Sequence, residues 1–116
     1  MPLPIIIENS KVPVWLSKVS PIEIGAISLG IAVFARDELL EHEVQHETIH
    51  YRQWRELGFV LFPLLYGFFH LRNRLYLRMS GEEAYYENPF EREAYIHEGG
   101  EDYLAKRPHY AWLHFV

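Results

Sequence analysis

Apolar positions along this chain change their spacing near residue 37. Upstream of it, prolines at 2, 4, 13 and 21 break up the first twenty residues. This predicts an extended arm, residues 1–21, with short strand pieces. The following stretch, IEIGAISLGIAVFARDELL (22–40), is rich in β-branched residues and contains Gly25 and Gly30, which predicts a strand or bent hairpin and not a helix. Asp37 is placed to cap a helix in which Leu39, Leu40, Val44, Ile49 and Trp54 recur at a roughly helical period to about Leu57, with Gly58 as the stop. A second helix is expected from about Pro63, as a first-turn residue, to Met79. SGEEAYYENP (80–89) reads as a loop or broken turn. Asn88 and Pro89 form a cap and first-turn pair for a third helix, NPFEREAYIHE, ended by Gly99 and Gly100. The tail, 99–116, holds a short helix to about Lys106 and then an aromatic segment that should pack back on the core. Strands first and helices after them predict an α+β fold, mainly helical, with a core over 22–98. No repeat or linker divides the 116 residues, so a single domain, 1–116, is expected.

Composition narrows the classes. With 49% hydrophobic and 16% aromatic residues the chain can fill a core and is not of a disordered type. A net charge of −5, from 11 basic and 16 acidic residues, argues against nucleic acid as a partner, because phosphate binding needs clustered Lys and Arg. There is no cysteine, which excludes disulfides and thiolate metal sites. Any metal must be held by histidines and carboxylates. MPLPIIIENS lacks a basic stretch followed by a long apolar one, so no secretory signal is expected. The longest apolar run, GFVLFPLLYGFF (58–69), is interrupted by Pro63 and Gly67 and is well short of the roughly 20 residues a spanning helix needs. It predicts a buried helix. The other reading is a membrane-facing or partner-facing patch, since Arg72, Arg74 and Arg78 follow closely.

The chemistry concentrates in HEVQHETIH (42–50), which contains H-E-x-x-H twice on a shared histidine. Two imidazoles four apart lie on one helix face and can meet one ion, and the glutamate beside the first can act as a base. A metal-facing helix surface must be buried, so its neighbours should be uncharged. The first frame, His42-Glu43-His46, is flanked by Glu41 and Glu47. The second, His46-Glu47-His50, has Val44, Thr48, Ile49 and Tyr51 around it. The second frame is therefore preferred, with His42 a surface residue one turn earlier.

Catalytic zinc takes three protein ligands and keeps one position open. No extended x-x-G-x-x-H run supplies a third histidine, so a later carboxylate is expected. NPFEREAYIHE offers Glu91 and Glu93, which two apart on a helix point in nearly opposite directions. Ala94, three after Glu91, would let the two helices approach and favours Glu91. Against this, Asn88-Pro89-Phe90-Glu91 also spells a capping arrangement, in which Glu91 has a purely structural task and Glu93 remains the other candidate.

VQHETIHY and, downstream, FEREA resemble the zincin metallopeptidases, specifically the gluzincin branch, whose third ligand lies in an F-E-x-x-A segment. The chain is also similar to minigluzincins and to short bacterial and phage zincin-like proteins, over roughly residues 24–98. The resemblance implies a small zincin-like domain in which the H-E-x-x-H helix packs on a Glu-bearing helix. It implies zinc (Zn2+) held by His46, His50 and Glu91, with Glu47 activating a water for peptide hydrolysis. It places AISLGIAVF beside an extended peptide or protein substrate by strand addition. The family segment continues with Asp or Asn after its alanine. Here Tyr95 stands there, which departs from the family pattern at the Glu91 segment and removes one polar partner that the resemblance implies behind the ligands. Tyr85, Tyr86, Tyr95 and His97 are candidate donors to the oxyanion. The competing expectation is a non-catalytic metal staple in a component of a larger assembly such as a virion or secretion particle, with the aromatic tail as the contact. The expected location is cytoplasmic or virion-associated.

Overall fold

Three short strands precede Glu41 in the computed structural model, which describes residues 5–11, 13, 26–29, 32–35 and 38–116. Ile5–Ile7 (β1), Ala26–Leu29 (β2) and Ala32–Ala35 (β3) form one sheet in the order β1-β3-β2. β2 and β3 pair antiparallel with Leu29 opposite Ala32, which is the hairpin expected from the β-branched stretch. β1 adds in parallel with Ile6 opposite Val33, so the proline-rich arm contributes a strand piece. β3 is thus paired on both edges. It cannot accept an extended peptide, which corrects that part of the strand-addition expectation; β2 pairs on one side only among the described residues.

The long helix α1, Glu41–Leu71, starts later than expected. Its N-cap is Leu40, whose N–H donates to Glu43 Oε1 at 2.9 Å, while Leu39 N–H donates to Glu8 Oε2 at 2.7 Å. Asp37 lies outside the described residues. Gly58 interrupts α1 at φ 80 and ψ 173, a conformation essentially open to glycine alone. The expected stop therefore exists, but as a kink, because Phe59 resumes the helix at once. Pro63 sits in the second turn of this half on its exposed side, where the hydrogen bond that it deletes faces solvent. The α-helical geometry ends at Leu71 and passes into a π turn, Arg72–Tyr76, closed by Leu77 N–H on Arg72 C=O at 3.0 Å. The second helix thus runs from Phe59, not Pro63, and stops short of Met79. Asn73 is fully buried in the π turn and donates to Ala84 C=O at 3.1 Å.

The SGEEAYYENP segment is not a loop. It contains helix α2, Gly81–Tyr86, because Ser80 and Glu83 form a capping box: Glu83 N–H donates to Ser80 Oγ at 3.1 Å. Helix α3, Pro89–His97, begins as expected, with Asn88 Oδ1 accepting from Phe90 N–H at 3.1 Å. Helix α4, Tyr103–Lys106, and a 3-10 turn, Ala111–Phe115, complete the chain.

Phe62, Phe69, Phe90 and Trp112 form the aromatic core, joined by Trp54, Leu57, Leu65 and Tyr66. Phe90 is central, with ring centroids 4.7 Å from both Phe62 and Trp112. The tail therefore packs back through Trp112, as its pattern predicts. α3 consequently lies along both halves of α1, and that contact builds the site. A mainly helical α+β architecture is what the element pattern predicts. The buried reading of 58–69 does not hold. Phe62 and Phe69 are inward, but Phe59, Val60, Leu64 and Phe68 are exposed because no described element covers that side.

Candidate metal centre

His46, Glu47 and His50 are all buried in the first half of α1, whereas His42 is half-exposed and 3.6 Å from Glu98 Oε2. Glu43 caps the helix start. Burial thus separates the two overlapping frames along one helix. α3 brings Glu91 against the histidines. Glu91 Oε1 lies 2.9 Å from His50 Nε2 and 3.4 Å from His46 Nε2, and the two Nε2 atoms are 3.2 Å apart. His46, His50 and Glu91 form a buried group in which each offers one ligand atom. Glu91 does not cap its helix, so the structural reading of that residue is set aside. Glu93 is also buried, but its carboxylate accepts from Gln53, Tyr103 and Arg107 on the other side of α3.

Three atoms around one zinc at bonds of about 2.0–2.1 Å in tetrahedral geometry are about 3.3 Å apart. The observed separations bracket that spacing, and nitrogen and oxygen donors suit the ion. A second observation supports the fit. Glu47 Oε2 is buried beside the cluster with no hydrogen-bond partner. An orphaned buried carboxylate oxygen costs stability unless something not made of protein meets it.

The supporting contacts define each ligand's orientation. His50 Nδ1 is 2.8 Å from Gln53 Oε1. The Gln53 amide is fixed in turn by donating to Phe90 C=O and Glu93 Oε1, so its oxygen must accept and His50 carries its proton on Nδ1, leaving Nε2 for the cluster. Tyr66, on the second half of α1, donates its hydroxyl to Glu91 Oε2 at 2.7 Å and leaves Oε1 facing the histidines. Glu98 Oε1 is 3.6 Å from His46 Nδ1, so a carboxylate one turn beyond Tyr95 stands where the resemblance leads one to miss it. The Tyr95 ring instead packs edge-on against His46, with centroids 4.4 Å apart, and its hydroxyl is 3.1 Å from that of Tyr85. Tyr86 packs on Tyr95, while His97 stacks on Tyr103, away from the ligands.

Electrostatics matches the geometry. Burial alone would keep the carboxyl of Glu91 neutral, but His50 and His46 hold it well below the usual carboxylate range. Burial pulls His50 down, yet the Glu91 carboxylate, with Glu47 and Gln53, raises it to about 10. The field that favours a proton there favours a cation. Burial pushes the Glu47 carboxyl up, against the opposing pull of His50 and His46. Burial and Glu91 raise Tyr66 and Tyr85, which therefore remain hydrogen-bond donors.

Behind Gln53 lies a larger buried network. The Arg107 guanidinium bonds Glu93 at 2.6 and 3.0 Å and Glu56 at 2.8 and 3.0 Å. Sequence reasoning does not find Gln53, Tyr66, Glu98 or Arg107. A polar residue three after the second histidine is the one signal present, for Gln53. Comparisons with protein-family models, curated proteins and solved structures give no match to this chain.

Proposed function

We propose that this chain is a zinc-dependent peptidase of the gluzincin kind, with His46, His50 and Glu91 as metal ligands and Glu47 as general base. One observation carries the reading: three ligand atoms converge at metal-ligand spacing beside a buried Glu47 oxygen that no protein group satisfies. Bound there, zinc supplies a Lewis acid that polarises a carbonyl and makes water nucleophilic near neutral pH. Glu47 Oε2 accepts the proton of the attacking water and returns it to the leaving amine. Gln53 fixes the tautomer of His50, and Tyr66 fixes the rotamer of Glu91, so neither ligand must reorganise during turnover. Tyr95, whose ring packs on His46, and Tyr85, whose hydroxyl is 3.1 Å from that of Tyr95, are the candidate donors for a developing oxyanion.

A second reading is supported by the position of the cluster, which ties α1 to α3 as a purely structural metal would. Substitution Glu47→Gln separates the two. On a peptide-library substrate the peptidase reading expects hydrolysis to fall about 10²–10⁴-fold with zinc content unchanged. Equal hydrolysis by the parent and Glu47→Gln proteins would leave the structural staple.

A further inference from the structure

The second half of α1 breaks the rule that the apolar side of a helix faces inward. From Phe59 to Leu71 it contains no Asp, Glu, Lys or Arg. A helix apolar all round is ordinarily buried. This one turns Phe62 and Phe69 into the core and leaves Val60 (73% exposed), Leu64 (64%), Phe68 and Leu71 along the opposite side. Leu75 (74%) and Tyr76 (82%) extend the same surface through the π turn. The surface is a convex ridge, and no described helix is long and apolar enough to cross a membrane.

Charge identifies what such a ridge fits. The chain carries −5 overall, yet residues 58–79 contain no acidic residue and hold Arg72, Arg74 and Arg78. Arg74 and Arg78 are exposed at the end of the ridge, next to Tyr76. Thirteen helical residues span about 20 Å, enough to lie in an interface but not to span one. Apolar side chains along a ridge, arginines at its end and an exposed tyrosine among them match the layered chemistry of an anionic bilayer surface, with acyl chains below and phosphates above. A protein groove would require the ridge to meet a matching concavity but gives no reason to exclude acidic residues over 22 positions.

We propose that residues 59–78 form a docking surface for an anionic lipid bilayer, with the ridge seated at the headgroup boundary and Arg74 and Arg78 on lipid phosphates. The proposal is independent of catalysis. Vesicle flotation tests it, with phosphatidylcholine vesicles with and without phosphatidylglycerol. The parent should float with the anionic vesicles, several-fold more than with the neutral ones, and less at high salt. Arg74→Gln/Arg78→Gln should lower partitioning on anionic vesicles roughly tenfold or more. Leu64→Glu/Phe68→Glu should abolish it, both variants keeping the parent's circular dichroism. A parent that stays with the unbound fraction, or variants that float as the parent does, would overturn the proposal. So would a stable dimer, by light scattering, that Leu64→Glu/Phe68→Glu dissolves while the parent ignores lipid, since the ridge would then be a self-interface.

Discussion

Residues 41–57 of α1 turn His46, Glu47, His50 and Gln53 into the interior, whereas residues 59–71, beyond Gly58, turn Val60, Leu64 and Phe68 to the outside. One half buries what water would solvate, and the other exposes what water would expel. Both choices lower stability, by opposite mechanisms. Polar burial is tolerable in the first half because nearly every group has a partner, Glu47 Oε2 and the Trp54 indole N–H being the exceptions among the described residues. Apolar exposure in the second half has no such internal remedy. Between them, the core residues Phe62, Phe69, Phe90 and Trp112 hold the helix in place. The same helix therefore separates a buried cluster of polar groups from an exposed apolar surface.

The strongest way to break the polar half is to remove its distant support. Arg107→Ala would leave Glu56 and Glu93 buried without their shared cation, and a loss of about 3–5 kcal/mol is expected in urea denaturation. A loss below about 1 kcal/mol would show that the first half does not depend on this network. Tyr66 bridges the two halves, and Tyr66→Phe should weaken zinc binding about 10–100-fold by calorimetry with little change in fold. Unchanged affinity would mean that Glu91 needs no holding. At the boundary, Gly58→Ala introduces a Cβ with no atom within 4 Å, so its cost is purely that of a positive φ. About 1–3 kcal/mol by denaturation is expected, and a neutral result would contradict the kink. The smallest effect belongs to the exposed half. Leu64→Ser should shift stability by about 0.5 kcal/mol or less, although a leucine is lost. A large loss would mean that the ridge is covered by part of the chain.

Legibility followed the range over which each feature is decided. The frame His46-Glu47-His50 was readable from its uncharged surroundings; of the two charged flanks held against the other frame, Glu41 is exposed as expected, whereas Glu47 is buried beside the histidines. The opposite orientations of Glu91 and Glu93 followed from helical periodicity, but which of them meets the histidines depends on the docking of α3 against α1. That both are buried was not readable at all, since the partner of Glu93, Arg107, comes from a tail whose packing rests on Trp112. Helix α2 was legible in principle in the Ser80–Glu83 capping box, and Gly81 with the short span masked it. The exposed ridge was misread because hydropathy reports what a segment would bury, not whether the fold has a layer to place over it. Tyr66 carries no local mark of its contact with Glu91, twenty-five positions away.

The central claim is that α1 and α3 together hold a metal ion. Metal content by mass spectrometry, on protein purified without added chelator and re-equilibrated with zinc, tests it directly. The account predicts one zinc per chain in the parent and in Glu47→Gln, and its loss in His46→Ala, His50→Ala and Glu91→Ala. A parent without stoichiometric metal, or Glu91→Ala protein that retains it, would contradict the assignment.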